Sequence, residues 1–133
     1  MIYLDTAALV KLVRVEAESA GLVTWLATHA AEPLIASALV EVELPRALRR
    51  SPPGVLGGVA AVLARLHRYE IDAAVRATAG AFPDATLRSL DAIHLATAEL
   101  LVAAGHGLTA FVTYDKRLGA AAQRAGLTVA APA

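Results

Sequence analysis

Four carboxylates, Asp5, Glu43, Asp91 and Asp115, stand where a strand or helix end would carry each side chain to one edge of an α/β sheet. Acids so far apart in the chain share one explanation only if they meet in space. Together they have the makings of a metal-dependent nuclease site. Phosphodiester hydrolysis needs a water made nucleophilic at neutral pH and stabilised charge on the phosphoryl oxygens, both of which Mg²⁺ or Mn²⁺ supplies. Hard cations take oxygen ligands, so three or four converging Asp and Glu side chains suit them. Crowded carboxylates repel one another without a cation, so the apo site is expected to gain stability when metal is added.

Each acid also has a blander role. Asp5 lies at the carboxyl end of the first expected strand, the edge where open α/β sheets place ligands, and it would equally cap a helix beginning at Thr6. Asp115 has the same two readings, since it follows the strand-like 111–113 and precedes a helix. Asp91 falls two residues past Ser89, an expected helix cap, in a first turn where negative charge suits the helix dipole. The surrounding stretch 90–98 is otherwise so apolar that this helix is expected to be largely buried, its acid facing a shared cavity. His94, one turn along on nearly the same face, would orient a water or a carboxylate; a satisfied, partly buried histidine is the commoner arrangement. Glu43 has a rival in Glu41, which lies roughly 200° away around a helix axis, so the two cannot enter one site. Periodicity does not choose between them. Glu43 shares its face with Arg46, Ala47 and Arg50, a polar stripe that favours it only weakly.

The elements that must position these residues follow from periodicity and punctuation. A strand over 1–4 leads into a helix over about 7–13, and a second helix spans 16–29, stopped by Pro33. A short strand over 34–36 precedes a helix capped by Ser37 and running to about Arg50, kinked at Pro45 and ended by the Ser51-Pro52-Pro53-Gly54 segment. The stretch 55–67 is expected to be helical despite Gly57 and Gly58, 69–71 a brief strand, and a further helix starts near Asp72. After a loop over 80–86, Ser89 caps a long helix through Ala104 that Gly105 and Gly107 terminate. A strand over 108–113, a helix over 116–125 closed by Gly126, and a strand over 127–130 complete the chain. Strands alternating with helices imply a mainly parallel sheet covered on both faces, a three-layer α/β/α domain.

The 133 residues are expected to form one domain, residues 1–133, large enough to bury a core without disulfides. Apolar residues make up 57% of the chain while Trp, Tyr and Phe number only 1, 3 and 2, so the core should be aliphatic with apolar surface to spare. That surplus points to a helix face buried against a partner or a second copy, so oligomerisation is expected. No run reaches the ~18 uncharged residues that a bilayer span needs; the longest, 52–64, stops at Arg65. Asp5 and Lys11 interrupt the place of a signal-peptide apolar region, so a cytoplasmic protein is expected. The absence of cysteine excludes disulfides, zinc–thiolate sites and thiol catalysis. Zero net charge argues against nonspecific coating of nucleic acid. Committing four acids to cations would leave twelve basic against eight acidic groups. Arg46, Arg49 and Arg50, and Arg65, His67 and Arg68, would then attract phosphate, or simply form solvated faces.

The stretches 3–12 (YLDTAALVKL), 37–50 (SALVEVELPRALRR), 90–98 (LDAIHLATA) and 112–118 (VTYDKRL) together resemble the ordered motifs of PIN-domain proteins, and within them the VapC toxins of bacterial toxin–antitoxin pairs. Four motifs in order across nearly the whole chain are specific. The resemblance implies that the family's acids fall on Asp5, Glu43, Asp91 and Asp115, which decides for Glu43, and that Thr113 lies beside the metal site as a hydroxyl donor. It implies a Mg²⁺- or Mn²⁺-dependent endoribonuclease, commonly a homodimer, held inactive by a VapB-like antitoxin encoded beside it. Two positions depart from the pattern. Alanine stands at position 7 where many relatives have serine, leaving Thr6 to supply a hydroxyl, and Pro45 in the glutamate-bearing helix is expected to shift Glu43.

Two functions are therefore in view. In one, Asp5, Asp91 and Asp115 hold the metal, Glu43 binds a second cation or activates water, and arginines position the RNA phosphates. In the other, a noncatalytic module of the same fold uses its acidic cleft to dock an arginine-bearing partner through charge-assisted hydrogen bonds. A phosphatase or phosphoacceptor that uses Asp5 covalently is a distant third, since position 7 is alanine where one large phosphotransferase group has a second aspartate.

Overall fold

The computed structural model describes all 133 residues. Short strands and helices alternate along the chain: β1 (Ile2–Leu4), α1 (Thr6–Val13), α2 (Ser19–Thr28), β2 (Leu34–Ser37), α3 (Val40–Ala47), α4 (Pro53–Leu56), α5 (Val59–Ala64), β3 (Leu66–Tyr69), α6 (Ala73–Ala81), α7 (Ser89–Ala103), β4 (Ala110–Val112), α8 (Lys116–Arg124) and β5 (Val129–Ala130). The five strands form one sheet in the order β3-β2-β1-β4-β5, and every neighbouring pair is parallel.

Strand periodicity sorts the core into two layers. Successive side chains of a strand point to opposite faces. Ile2, Leu4, Ala36, Ala110 and Val112 accordingly pack with Leu9 of α1, Leu22 and Leu26 of α2, Val40 and Leu44 of α3 and Val62 of α5. On the other face Tyr3, Ile35 and Phe111 pack with Leu95, Ala98 and Leu101 of α7 and Leu118, Ala121 and Ala122 of α8. The Tyr3 and Phe111 rings stack with centroids 4.9 Å apart. Helix α6 lies outside this layer, against α7. The result is the expected α/β/α sandwich with a wholly parallel sheet.

Several elements differ from the sequence expectation. Ser37 does not cap α3, which starts at Val40 with Leu39 at the cap position; the Ser37 Oγ instead accepts from the Leu39 amide at 3.1 Å, closing a turn between β2 and the helix. Helix α3 also stops at Ala47 rather than near Arg50. Ser89 is the first residue of α7, and Arg88 takes the cap position without a side-chain cap. The expected helix over 55–67 is broken into α4 and α5 around Gly57 and Gly58, and the strand expected at 69–71 begins earlier, at Leu66. Leu66 is buried opposite Leu34, so tertiary pairing along β2 overrides the helical periodicity there. The glycine stops hold: Gly105 (φ +93°) and Gly126 (φ +85°) adopt the left-handed conformation. The following residues, His106 and Leu127, donate back to Leu101 and Ala122, as in a Schellman ending.

Apolar surplus remains at the surface, with Val15, Val23, Val42, Leu90 and Val102 exposed. No helix is long and apolar enough to cross a membrane.

Candidate active site

The order in which strands are added across the sheet reverses at β1, whose two neighbours are β2 and β4. Such a switch point leaves a crevice beyond the carboxyl ends of the strands, because the helices that follow β1 and β4 depart to opposite faces of the sheet. Asp5 stands one residue beyond β1 and Asp115 three residues beyond the end of β4, so both border the crevice. Glu43 reaches it from α3 and Asp91 from the first turn of α7.

Capping and convergence prove compatible, because each capping aspartate commits one oxygen to its helix. The Asp5 Oδ1 accepts from the Ala8 amide at 2.9 Å at the start of α1, while Oδ2 accepts from the Thr113 hydroxyl. The Asp115 Oδ1 accepts from the Arg117 and Leu118 amides at 2.9 and 3.0 Å, and Oδ2 lies 3.5 Å from Arg88 Nη2. Thr113 ties the two together, since its Oγ also accepts from the Asp115 amide at 3.1 Å.

Glu43 and Glu41 part as helix geometry requires. Glu41 is exposed and lies 3.5 Å from Arg68 on the edge strand. Glu43 turns inward, where its Oε1 accepts from the Thr6 hydroxyl at 2.7 Å and sits 2.8 Å from His94 Nε2. Pro45 does not pull Glu43 away. The Thr6 hydroxyl thus serves Glu43, while the hydroxyl on Asp5 is that of Thr113. His94 is almost fully buried, and its Nδ1 lies 2.8 Å from the Tyr3 hydroxyl.

The charges are crowded. Burial pushes the Asp5 carboxyl up to about 6, against the pull of the Thr113 hydroxyl and the Ala8 amide. Asp91 is also raised, by burial first and then by the neighbouring Asp115 and Glu43 carboxylates, with Arg88 opposing. Burial raises Glu43 too, but the hydrogen bonds from His94 and Thr6 outweigh it and hold this carboxyl below its usual range. Arg88 places Nε 3.6 Å from Asp91 and Nη2 3.5 Å from Asp115, although its side chain is 69% exposed. Sequence reasoning missed Arg88, yet its spacing of three residues from Asp91 across the start of α7 was a usable signal. It also missed Tyr3, which shares a sheet face with the position of Asp5.

No three acidic or histidine side chains are already closed into a cation cage. In donor type the set still fits a hard divalent cation. All four candidates are carboxylates, and Arg88 lies beside two of them, Asp91 and Asp115. Beyond the site, Arg46, Arg49 and Arg50 are exposed without ion pairs, whereas Arg68 is engaged by Glu41.

Comparison with known proteins identifies the family and the fold. The PIN-domain family profile matches residues 2–124. The chain is similar to ribonuclease VapC35 of Mycobacterium tuberculosis, with 55% identity over 99% of this chain and 97% of that protein. It is also similar to ribonuclease VapC47 of the same species, with 41% identity over 99% of this chain and 97% of that one. Among solved structures, the sarcin–ricin-loop-cleaving toxin VapC20 of M. tuberculosis superposes with a TM-score of 0.71 at 18% identity, covering 91% of this chain and 95% of the other. VapBC2 of Rickettsia felis, bound to a DNA fragment from its promoter, superposes at 0.66 and 18% identity over 98% of both chains.

Proposed function

This chain belongs to the PIN-domain family, and on that premise we propose that it is a metal-dependent endoribonuclease toxin of the VapC kind, restrained by a VapB-like antitoxin. What supports the proposal is that Asp5, Glu43, Asp91 and Asp115 all border the switch-point crevice of a chain 55% identical to a named ribonuclease. In this reading residues 1–133 act as one domain, and a homodimer covers part of the exposed apolar surface.

Asp5, Asp91 and Asp115 would hold Mg²⁺ or Mn²⁺, with Glu43 as a further ligand or as the group that receives a proton from water. When bound, the cation supplies a nucleophilic water at neutral pH and neutralises charge on the phosphoryl oxygens. The chain's own residues do the positioning. Thr113 fixes Asp5, the helix-capping amides fix Asp5 and Asp115, and Thr6 with His94 keeps Glu43 anionic and oriented. Arg88 is placed to leave its two carboxylates for a substrate phosphate once a cation neutralises them.

The test is cleavage of total cellular RNA by the purified protein in Mn²⁺ or Mg²⁺, beside an EDTA control and Asp91→Asn. Metal-dependent cutting that the variant loses supports the nuclease. No cutting by folded, antitoxin-free protein across several RNA pools would favour a noncatalytic module whose acidic crevice docks a partner arginine, as Arg88 already engages Asp91 and Asp115 from within the chain.

A further inference from the structure

A line of hydrogen bonds runs from the backbone of the sheet to one oxygen of Glu43. The Ser37 amide, at the end of β2, donates to the Tyr3 hydroxyl at 3.2 Å. That hydroxyl lies 2.8 Å from His94 Nδ1, and His94 Nε2 lies 2.8 Å from Glu43 Oε1. Tyr3, Ser37 and His94 are buried.

The direction of each bond follows from what each group can do. A backbone amide only donates, so the Tyr3 oxygen accepts from Ser37 and has its single proton left to give. Its one remaining partner in the line is His94 Nδ1, which therefore accepts. A neutral imidazole that accepts at Nδ1 carries its proton on Nε2, and that proton points at Glu43. The carboxylate accepts it at Oε1, together with the Thr6 hydroxyl at 2.7 Å. The other oxygen, Oε2, has no hydrogen-bond partner in the chain.

We propose that Tyr3 is a positioning residue for Glu43: acting through a single tautomer of His94, it locks Oε1 and reserves Oε2 for the divalent cation or the attacking water. The proposal rests on the metal-dependent reading above. A buried partner that fixes a ligand's orientation typically accounts for tenfold or more in metal affinity or activity.

Tyr3→Phe removes the hydroxyl while keeping the ring stacked on Phe111. His94→Gln keeps a donor amide for Glu43, and His94→Ala removes it. The wild-type protein is first read by ¹⁵N NMR of the histidine ring, which needs no metal and no turnover. The expected spectrum has His94 protonated on Nε2 with Nδ1 bare; protonation on Nδ1 instead overturns the proposal. Mn²⁺ titration by calorimetry is then expected to show affinity about tenfold weaker in Tyr3→Phe. His94→Gln should lie closer to wild type than His94→Ala, with KM for RNA held and kcat reduced across the set.

Folded Tyr3→Phe with wild-type Mn²⁺ affinity and kcat overturns the positioning role alone. Equal losses in folded His94→Gln and His94→Ala overturn it too. Failure of the wild-type protein to take up Mn²⁺ overturns the metal reading, and with it the purpose assigned to Oε2, even where the tautomer is the expected one.

Discussion

Thr113, just beyond β4, donates its hydroxyl to the buried carboxylate of Asp5, just beyond β1, a bond between residues 108 positions apart in the chain. It spans the switch point of the sheet, and the same oxygen accepts from the Asp115 amide. One hydroxyl thus sets the spacing of two of the acids.

Thr113→Val keeps the shape of the side chain and leaves a buried carboxylate short of a donor. The expected cost is about 2 kcal/mol at neutral pH. Thr113→Ser keeps the hydroxyl and forfeits one methyl, about 0.8 kcal/mol. Urea midpoints separate the two; a Val variant as stable as wild type would show the bond to be idle.

Asp5 is expected to destabilise the metal-free protein. Its folded carboxyl titrates at about 6 against an unfolded value of 3.8, chiefly because of burial. The folded state therefore holds this proton more tightly than the unfolded chain does. The associated stability is fully present below pH 3.8, is lost as pH rises through about 6, and stays lost above. The displacement corresponds to about 3 kcal/mol. Asp5→Asn should then raise the melting temperature in EDTA at pH 7.5, make little difference below pH 4, and abolish RNA cleavage. An Asn variant less stable than wild type at pH 7.5 would mark Asp5 as a structural acid.

How far the sequence carried depended on the range of the interaction. The parallel sheet, the glycine stops and the flanking strands are visible because alternation and left-handed turns are local properties of the chain. The 55–67 stretch misled because its helical periodicity is outweighed by the pairing of Leu66 with Leu34, a contact no local window contains. Asp5 and Asp115 were ambiguous for a chemical reason: capping uses one carboxylate oxygen and a site uses the other, so both readings hold at once. Glu43 was separable from Glu41 by motif resemblance before any contact was known, and the structure gives the two opposite surroundings. The partners of His94 and the bridging place of Arg88 are products of assembly.

Arg88 is the positive charge that bridges Asp91 and Asp115. Its guanidinium lies beside Asp91 and Asp115 while remaining mostly exposed, so water screens the attraction and the pair contributes under about 1 kcal/mol to folding. Arg88→Gln should leave the melting temperature almost unchanged. Removing a competing charge should also tighten Mn²⁺ binding, by up to about fivefold at low salt and less at high salt. The KM for RNA should rise, since the variant loses a phosphate partner. Calorimetric affinity that stays level or weakens in the variant would argue against competition between Arg88 and the cation.

Asp91 allows function to be separated from folding. Burial, followed by the nearby Asp115 carboxylate, raises its proton affinity, so neutralising it costs the metal-free fold nothing electrostatically. Asp91→Asn is accordingly expected to match or slightly exceed wild type in EDTA. Added Mn²⁺ is expected to separate the two proteins. A ligand bound only by the folded state stabilises it by about 2.7 kcal/mol at a hundred times its Kd. Wild type should show a rise in melting temperature that grows with Mn²⁺ and is reversed by EDTA, while Asp91→Asn should show little. An equal rise in both proteins would remove Asp91 from the ligand set, and a variant that melts early in EDTA would return it to the helix dipole as a structural charge.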